Sequence, residues 1–477
     1  MSENYKGTIV KISNLRKHSN ADRLQCTNLF GNNVIVGLNT KIGDIGIFFP
    51  LESALSAGFI YENNLSTKPE LNKDQKTKGY FGSHGRVKAQ TFRDEKSMGF
   101  WIPINSLDYL KIPNETLVEG LELDEYNGHR ICSKYIPVRN TPSLPKPKSG
   151  KVHKKRESRI YSGQFRFHYD TSHLGKNMHR IKPDNIISIT WKFHGTSAIA
   201  ANVVCKNPRD WKIKLVNWIA LKLTGKAFYN DSYQEVYASR KVIKNEFMEN
   251  DPSKKNYYSY DLWTEIGKQH FHNKLQPGES IYYEIVGYTK DGGAIQKGYD
   301  YGCNPNPIYD FAKQSMSYDH DKAELKPQHK VYVYRITRTD TAGNVTELSW
   351  EQVKDRCKEL GVDHVVEIYH GEADYFYPCE LAIPDEEALR KWREEFLDTL
   401  QKAYVCDQDS QFCENKVPEE GVVLRKEGLY LEAFKLKSFR FMKHESDELD
   451  KGEVDLETSQ TLEEDDSEQS GDTLPTV

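Results

Sequence analysis

The chain has 477 residues, of which 37% are hydrophobic and 29% are charged. This composition is typical of globular proteins and excludes a fibrous or wholly disordered chain. The length exceeds what one ordinary hydrophobic core supports, so we expect two domains with tails. No apolar run reaches membrane-spanning length, and the first residues, MSENYKGTIV, lack the apolar stretch of a signal peptide. We therefore expect an intracellular protein, cytoplasmic or nuclear, without a membrane partner.

The net charge of −4 is distributed unevenly along the chain. Residues 445–477 hold 13 Asp or Glu and one Lys, whereas Lys and Arg are in excess over residues 1–444. A basic body with an acidic tail is typical of a protein that binds a polyanion, although the tail could equally serve solubility alone. Because the tail has almost no apolar residues, we expect residues 445–477 to be disordered.

Residues 1–135 alternate short apolar runs with turn residues. The runs GTIVKI, NVIVGL and GDIGIFFPL are rich in Val, Ile and Phe and are separated by Asn and Gly. This pattern predicts the short strands of a small β-barrel.

A basic, proline-rich stretch follows, and we assign residues 136–164 to a linker. The part PVRNTPSLPKPKSGKVHKKRESR, residues 137–159, has four prolines and eight Lys or Arg against one Glu. Such a stretch is extended, and its charges favour contact with a phosphate backbone, although a solvated hinge is also possible.

Residues 165–444 mix strand-like and helix-like patterns. IISITWKF, SIYYEIVGY, HKVYVYRI and EGVVLR predict strands, whereas WEQVKDRCKELG and DEEALRKWREEFLDTLQKAY have helical periodicity. Because the two kinds of element do not alternate regularly, we expect an α+β fold rather than a doubly wound sheet.

One lysine, Lys192 in WKFHGTSA, leaves a strand-like run and enters a turn at Gly195. A lone K-x-x-G is common by chance. Further short motifs follow in a fixed order: SRK at 239–241, YYEIVG at 282–287, VYVYRI at 331–336, EGVVLR at 420–425 and FKLKS at 434–438. The ordered series resembles the motifs of the covalent nucleotidyltransferases, which comprise RNA ligases, DNA ligases and messenger-RNA capping enzymes.

The resemblance implies that Lys192 is the nucleophile that forms a lysyl-AMP with ATP. A lysine must be neutral to attack phosphorus, and lowering its pKa from 10.4 to about 7.5 disfavours the charged form by roughly 4 kcal/mol. Burial, a metal ion and neighbouring cations all act in that direction. Lys435 and Lys437 alternate with apolar residues on one strand, and by resemblance they are catalytic, bind the nucleotide and neutralise its α-phosphate.

The resemblance also assigns the remaining site residues. Glu284 and Glu420 would hold Mg²⁺ or Mn²⁺, and Glu284 would also contact the nucleotide. Arg240 would bind a phosphate, and Tyr334 would stack on adenine, although Tyr332 shares its strand face. One departure stands out, because His194 occupies the position where the commonest first motif has Asp, so we assign it no role.

The N-terminal domain resembles the OB-fold modules that bind tRNA in synthetase-associated proteins. The matching residues are KHSNADRL at 17–24, VIVG at 34–37 and Gly43-Asp44. An OB fold before the nucleotidyltransferase domain is the arrangement of one family of RNA nick-sealing ligases, which GRVKAQTFR and FHYDTSHLGKN also resemble. We thus expect an OB-fold barrel at 1–135, an adenylyltransferase domain of antiparallel sheets and helices at 165–444, and a tail at 445–477.

The function that this resemblance implies is ATP-dependent joining of RNA 3′-OH and 5′-phosphate ends through a lysyl-AMP and an RNA-adenylate. We expect a monomer that acts on nicked duplex RNA in RNA repair. DNA ligases and capping enzymes carry an OB domain after the last motif, where this chain has only about forty residues. A non-catalytic RNA-binding module is the other alternative, and it would leave the motif series unexplained.

Other candidate sites are weaker. His270 and His272 could share one side of a strand as metal ligands, but no partner of matching spacing accompanies them. Cys303 lacks an evident base, and none of the eight cysteines forms a C-x-x-C pair, so reduced structural thiols are expected.

Overall fold

The structure is a computed structural model of the chain. It describes residues 5–82, 84–136, 159–206, 211–225, 231–244, 258–306, 326–379 and 385–451. Most of the linker predicted at 136–164 and the tail beyond residue 451 therefore lie outside the described residues.

The part of the chain up to residue 136, here the N-terminal part, consists mainly of short strands. They are β1 (Gly7–Lys11), β2 (Arg16–Lys17), β3 (Leu24–Leu29), β4 (Asn32–Gly37), β5 (Ile45–Phe49), β6 (Ser53–Leu55), β7 (Ala89–Phe92), β8 (Glu95–Met98), β9 (Phe100–Pro103), β10 (Glu122–Leu123), β11 (Glu125–Tyr126), β12 (His129–Arg130) and β13 (Cys132–Lys134). Its helical elements are α1 (Ala57–Glu62) and the 3₁₀ turns Pro69–Leu71, Ile104–Leu110 and Asn114–Thr116.

The N-terminal strands form several small sheets. A four-stranded sheet has the order β10-β1-β5-β9, a three-stranded sheet has the order β2-β3-β4, and β6 with β13, β7 with β8 and β11 with β12 form pairs. Because successive side chains of a strand point to opposite faces, Ile47 and Phe49 enter one hydrophobic core, whereas Phe48 enters another with Trp101. Hydrogen bonding among the described strands closes no barrel, so the OB-fold barrel predicted for residues 1–135 is not confirmed.

The C-terminal part, residues 159–451, mixes longer strands with helices. The strands are β14 (Ser172–His173), β15 (Ile186–Trp191), β16 (Thr196–Cys205), β17 (Ser232–Ser239), β18 (Glu279–Gly287), β19 (His329–Thr339), β20 (Val345–Glu347), β21 (Asp363–His364), β22 (Glu367–Glu372), β23 (Gly421–Lys426) and β24 (Glu432–Lys437). The helices are α2 (Leu174–Asn177), α3 (Trp211–Thr224), α4 (Leu262–Phe271), α5 (Trp350–Leu360), α6 (Ala373–Phe376), α7 (Glu386–Tyr404) and α8 (Phe439–Asp450), with a 3₁₀ turn at Met178–Arg180.

Two mainly antiparallel sheets organise this C-terminal part. One has the order β17-β16-β18-β19-β20, with β21 also paired to β19, and the other has the order β14-β24-β23-β15-β22. Their side chains meet in one core, which includes Ile189, Tyr283 and Leu424. The chain crosses from the second sheet to the first between β15 and β16, within residues 192–195. The mixture of helices and antiparallel strands agrees with the predicted α+β class.

The two predicted long helices form where their sequences place start and stop signals. A capping box of Ser349 and Gln352 begins α5, and Gly361 ends it with a φ of 69°, a backbone conformation that favours glycine. The Asp385 side chain accepts a hydrogen bond from Ala388 N at the start of α7.

Several polar contacts join the N-terminal and C-terminal parts, and we call them the N–C interface. Lys176 Nζ lies 2.9 Å from Thr8 Oγ1, and Gln401 Nε2 donates to Gly31 O at 2.8 Å. Arg86 donates to Asp450 at the end of α8. Residues 445–450 of the expected tail belong to this helix, so the ordered chain extends beyond the expected boundary at residue 444.

A membrane-spanning helix is not found: within the described ranges, no helix combines the length and the apolar character that crossing a bilayer requires.

Candidate active site

Lys192 lies at the point where the chain crosses between the two sheets. Its backbone N–H donates to Gly421 O at 2.9 Å, which ties the crossing segment to the start of β23. Its Nζ lies 2.8 Å from Oε1 of Glu420. The turn also requires Gly195, because a Cβ there would lie 2.2 Å from Ile285 O. The motif WKFHGTSA is thus in direct contact with the motif EGVVLR.

Two lysines share the buried carboxylate of Glu420. Lys437 Nζ lies 3.2 Å from the same Oε1 atom that Lys192 contacts. Burial alone would raise the pKa of Glu420, but Lys192, Lys437 and His194 together hold it below its usual value. Among the described residues, none hydrogen-bonds the buried Oε2 of Glu420. The carboxylate therefore stays charged at neutral pH and keeps one oxygen for a further ligand.

Glu284 holds the crossing segment from the neighbouring sheet. Its two oxygens accept hydrogen bonds from Gly195 N at 3.1 Å and from Ser197 Oγ at 2.9 Å. Gln296 Nε2 donates to Gly195 O at 2.7 Å from the other side. Hydrogen bonds to both the N–H and the C=O of Gly195 thus hold the turn that follows Lys192.

Arg240 and Tyr334 lie against a segment that precedes the first motif. Arg240 forms an ion pair with Asp170, and Tyr334 OH lies 2.9 Å from Nδ1 of His168. Burial alone would raise the pKa of Asp170, but Arg240 holds it below its usual value, and Lys435 acts in the same direction. The segment around residues 168–170 therefore lies beside Arg240, Tyr334 and Lys435.

The two candidate stacking tyrosines have different surroundings. Burial raises the pKa of Tyr334 well above its usual value, and the nearby Glu284 carboxylate acts in the same direction. Tyr332 instead packs on the ring of Phe193, with the centroids 4.4 Å apart. Tyr332 is the residue opposite Glu284 in the β18–β19 pair, but of the two hydroxyl groups that of Tyr334 is the one near the charges of Glu284 and Arg240.

His194 has the surroundings of an aromatic packing residue. Its ring makes edge-to-face contacts with Tyr299 and Phe441, at centroid distances of 4.9 and 5.0 Å. Its backbone N–H donates to Tyr301 OH at 2.7 Å. His194 thus links the crossing segment to α8.

Several residues near the site were not singled out by the motifs. They include Ser197, Gln296, Tyr299, Tyr301, Glu445 and Tyr5. Glu445 of α8 lies 3.0 Å from Lys437 Nζ. Burial raises the pKa of Tyr5, and Lys437 is near enough to lower it in part, so the first described residue reaches the site. Of these residues, only Tyr299 and Tyr301 stand in a recognisable sequence pattern, the alternating aromatics of GYDYG at 298–302.

The weaker candidates do not form sites. His270 belongs to helix α4 rather than to a strand, and its ring lies beside His329, whereas His272 contacts Glu235 at 2.6 Å. Burial raises the pKa of the Cys303 thiol to about 11, which leaves it protonated. Within the described ranges, no group of three or more His, Cys, Asp or Glu could hold a metal ion unaided.

No protein-family model and no curated protein matches the chain. Among solved structures, it is similar to a Naegleria gruberi RNA ligase, a lysine-to-methionine mutant with AMP and Mn, at a TM-score of 0.53 and 15% identity, over 94% of this chain and 100% of the other. For a lysine-to-alanine mutant of that ligase with ATP and Mn, the TM-score is 0.52 and the identity 15%, over 92% of this chain and 99% of the other. For the ligase with PPi, the TM-score is 0.51 and the identity 14%, over 94% of this chain and 100% of the other. At these identities the likeness establishes the fold, which the two chains share over nearly their whole lengths.

Proposed function

We propose that this chain is an ATP-dependent RNA ligase that works through a covalent AMP adduct on Lys192. The observation that carries the proposal is the contact of Lys192 with Glu420, which also binds Lys437, where the two sheets meet. The shared fold supports it, since the similar solved structures are RNA ligases described with ATP, AMP, Mn or PPi.

In the first step, the neutral amine of Lys192 attacks the α-phosphorus of ATP. An N–P bond forms, the bond from the α-phosphorus to the bridging oxygen breaks, pyrophosphate leaves with the electron pair, and the amine loses its proton. The Glu420 carboxylate at 2.8 Å favours the charged ammonium, whereas Lys437 opposes it. Lys192 therefore becomes a better nucleophile when the charge of Glu420 is taken up by another cation.

Glu420 fits a divalent cation, because its Oε2 is buried without a hydrogen-bond partner in the described chain. Glu284, by contrast, already accepts one hydrogen bond on each oxygen, from Gly195 and from Ser197, so only the second lone pair of each oxygen is left for a cation. Mg²⁺ commonly binds one or two carboxylates and completes its coordination with phosphate oxygens and water. Such a bound Mg²⁺ or Mn²⁺ would neutralise charge on the reacting phosphate.

The other predicted residues would bind the nucleotide. Arg240 would exchange its ion pair with Asp170 for a phosphate, and Tyr334 would present its ring to adenine. Lys437 and Lys435 lie on β24, where their positive charges would stabilise the charge that develops on the α-phosphate.

The later steps need RNA ends. The 5′-phosphate of one end would attack the lysyl-AMP and release the amine, and the 3′-OH of the other would then displace AMP. We propose that the N-terminal part and the basic stretch 137–159 grip a nicked duplex through phosphate contacts, as an OB-type module would. One chain carries the whole site, which suits a monomer.

The test is covalent labelling. The protein is incubated with α-labelled ATP and Mg²⁺ or Mn²⁺ and then resolved on a denaturing gel. A labelled band that Lys192→Ala abolishes supports the proposal, and an unlabelled protein indicates a binding module. Labelling by GTP alone indicates a capping enzyme. Sealing of nicked duplexes with RNA or DNA on each side of the nick then distinguishes an RNA ligase from a DNA ligase.

A further inference from the structure

Helix α3 (Trp211–Thr224) exposes an unusual number of large apolar side chains. Between 40% and 79% of the surface of each is open to solvent: Leu215, Val216, Trp218, Ile219, Leu221 and Leu223. An isolated exposed apolar residue needs no explanation, but a contiguous group of this kind marks a contact surface.

The amphipathic pattern of α3 is inverted. Asn217 and Ala220 are the two least exposed of the side chains described on this helix, and neither is large and apolar. At 100° per residue, these two positions lie on one face, and the exposed apolar residues occupy the remaining arc. A surface helix of a globular protein normally buries its apolar side. Here the helix turns that side outward, so the folded chain does not supply the partner within its described residues.

The charges of α3 indicate which partner fits. The stretch 211–230 contains Lys212, Lys214, Lys222 and Lys226 and no Asp or Glu. The Lys222 ammonium lies 4.1 Å from the centroid of the Trp218 ring. A symmetric contact with a second copy would bring these lysines together without any carboxylate to balance them. An anionic partner satisfies the charge.

Among anionic partners, the side chains favour lipid over nucleic acid. Five of the six exposed groups are aliphatic, and aliphatic groups offer no ring face on which a base could stack. Lys, Trp and aliphatic residues on one short helix are typical of segments that lie in the interface of an anionic bilayer. A helix of 14 residues is too short to span the bilayer and suits this in-plane position.

We propose that α3 docks this protein on the surface of an anionic lipid bilayer, with its exposed apolar face in the headgroup region. In the chain the helix lies between β16 and β17, and β17 is the edge strand of its sheet. The inference does not depend on the activity proposed above, and it departs from the expectation of a protein without a membrane partner.

Flotation of the full-length protein with lipid vesicles tests this inference. We expect it to float with phosphatidylcholine vesicles that contain phosphatidylserine, and to float much less with phosphatidylcholine alone. Trp218→Ser with Leu221→Ser should reduce the bound fraction at least about tenfold, and Lys222→Gln should reduce it less. The thermal unfolding midpoint of each variant reports whether it is folded.

The matched control is Leu429→Ser with Tyr430→Ser, which removes two large and even more exposed side chains from the β23–β24 turn. This control should float as well as the unaltered chain. Failure of the unaltered chain to float with anionic vesicles would overturn the proposal. So would equal loss in the control and the α3 variant, or a mass in solution that shows dimers broken by the α3 substitutions. Competition of flotation by duplex RNA, with RNA binding lost in the α3 variant, would assign the helix to nucleic acid instead.

Discussion

The site around Lys192 and the N–C interface arrange their charged groups in opposite ways. In this site, two ammonium groups, those of Lys192 and Lys437, contact the same oxygen of Glu420. At the interface, one guanidinium, that of Arg86, pairs with two carboxylates, those of Glu52 and Asp450.

The difference indicates what each region is built for. Two ammonium groups held close together repel each other in the folded chain, but they favour an incoming polyanion such as a nucleoside triphosphate. A mostly buried ion pair such as Arg86 with Glu52 instead resists separation, because removing one partner leaves the other desolvated. Substitutions in the site around Lys192 should therefore affect chemistry more than stability, and substitutions at the interface should do the reverse.

Lys192→Ala should give the largest effect, with no covalent AMP adduct above background. Lys192 carries the only side-chain amine of the crossing segment 192–195, and this amine contacts Glu420 directly. The variant should keep its unfolding midpoint and should still seal an RNA whose 5′ end is already adenylated, because that step needs no lysine nucleophile. Gel labelling and sealing of the adenylated substrate measure the two properties. Persistent labelling would remove Lys192 from the proposed role.

Lys437→Ala should slow adduct formation by roughly 100-fold, and Lys435→Ala should slow it less. Lys437 contacts Glu420 at 3.2 Å, whereas Lys435 lies toward Asp170 and the half-buried His173. Single-turnover labelling measures the rate for each variant. An equal loss of rate in the two variants would contradict the prediction, because it would place both lysines equally close to the reacting phosphate.

The sequence predicted the residues of the site around Lys192 better than it predicted the fold of the N-terminal part. A residue on a strand has a fixed side, so the spacing of Lys435 and Lys437 implied that both leave one face of β24. Contacts between elements distant in sequence carry no such local signal. Nothing around Tyr5 or Glu445 indicated that either would approach Lys437, and nothing around Arg86 indicated a partner at residue 450.

The barrel predicted for residues 1–135 shows the same limit. Alternating apolar runs fix which residues form strands, and GTIVKI and GDIGIFFPL do contain β1 and β5. The order in which strands pair depends on packing across the whole region, and the described strands form separate sheets.

Arg86→Ala should destabilise the protein by about 2 to 4 kcal/mol while the folded variant still forms the AMP adduct. The guanidinium donates to both oxygens of Glu52, at 2.8 and 3.0 Å, and to Asp450 at 3.2 Å. Lys88→Ala is the matched control, since Lys88 pairs with the same Asp450 at a more exposed site and should contribute at most about 1 kcal/mol. Urea unfolding measures both. Equal small effects would show that the interface does not depend on the buried pair.

The smallest effect is a dependence of stability on pH that originates at His173. This residue lies between Lys176 of the N–C interface and Lys435 of the site around Lys192. Burial lowers the pKa of His173 to about 4, and Lys176 and Lys435 act in the same direction. In the unfolded chain a histidine titrates near 6.5. Between these two values the unfolded state binds the proton and the folded state does not, so stability falls as the pH falls from about 6.5 to about 4.

His173→Gln keeps a hydrogen-bond acceptor for Gly175 N, which donates to His173 Nδ1 at 3.1 Å, and it removes the titrating group. Its unfolding free energy should therefore fall less over this pH range than that of the unaltered chain, by roughly 1 to 2 kcal/mol, because solvent near the partly exposed ring reduces the full effect. His179→Gln, at an exposed position in the following 3₁₀ turn, is the control and should leave the slope unchanged. Urea unfolding at several pH values measures the slopes. Parallel curves for the unaltered chain and His173→Gln would show that burial and the two lysines do not exclude the proton from His173.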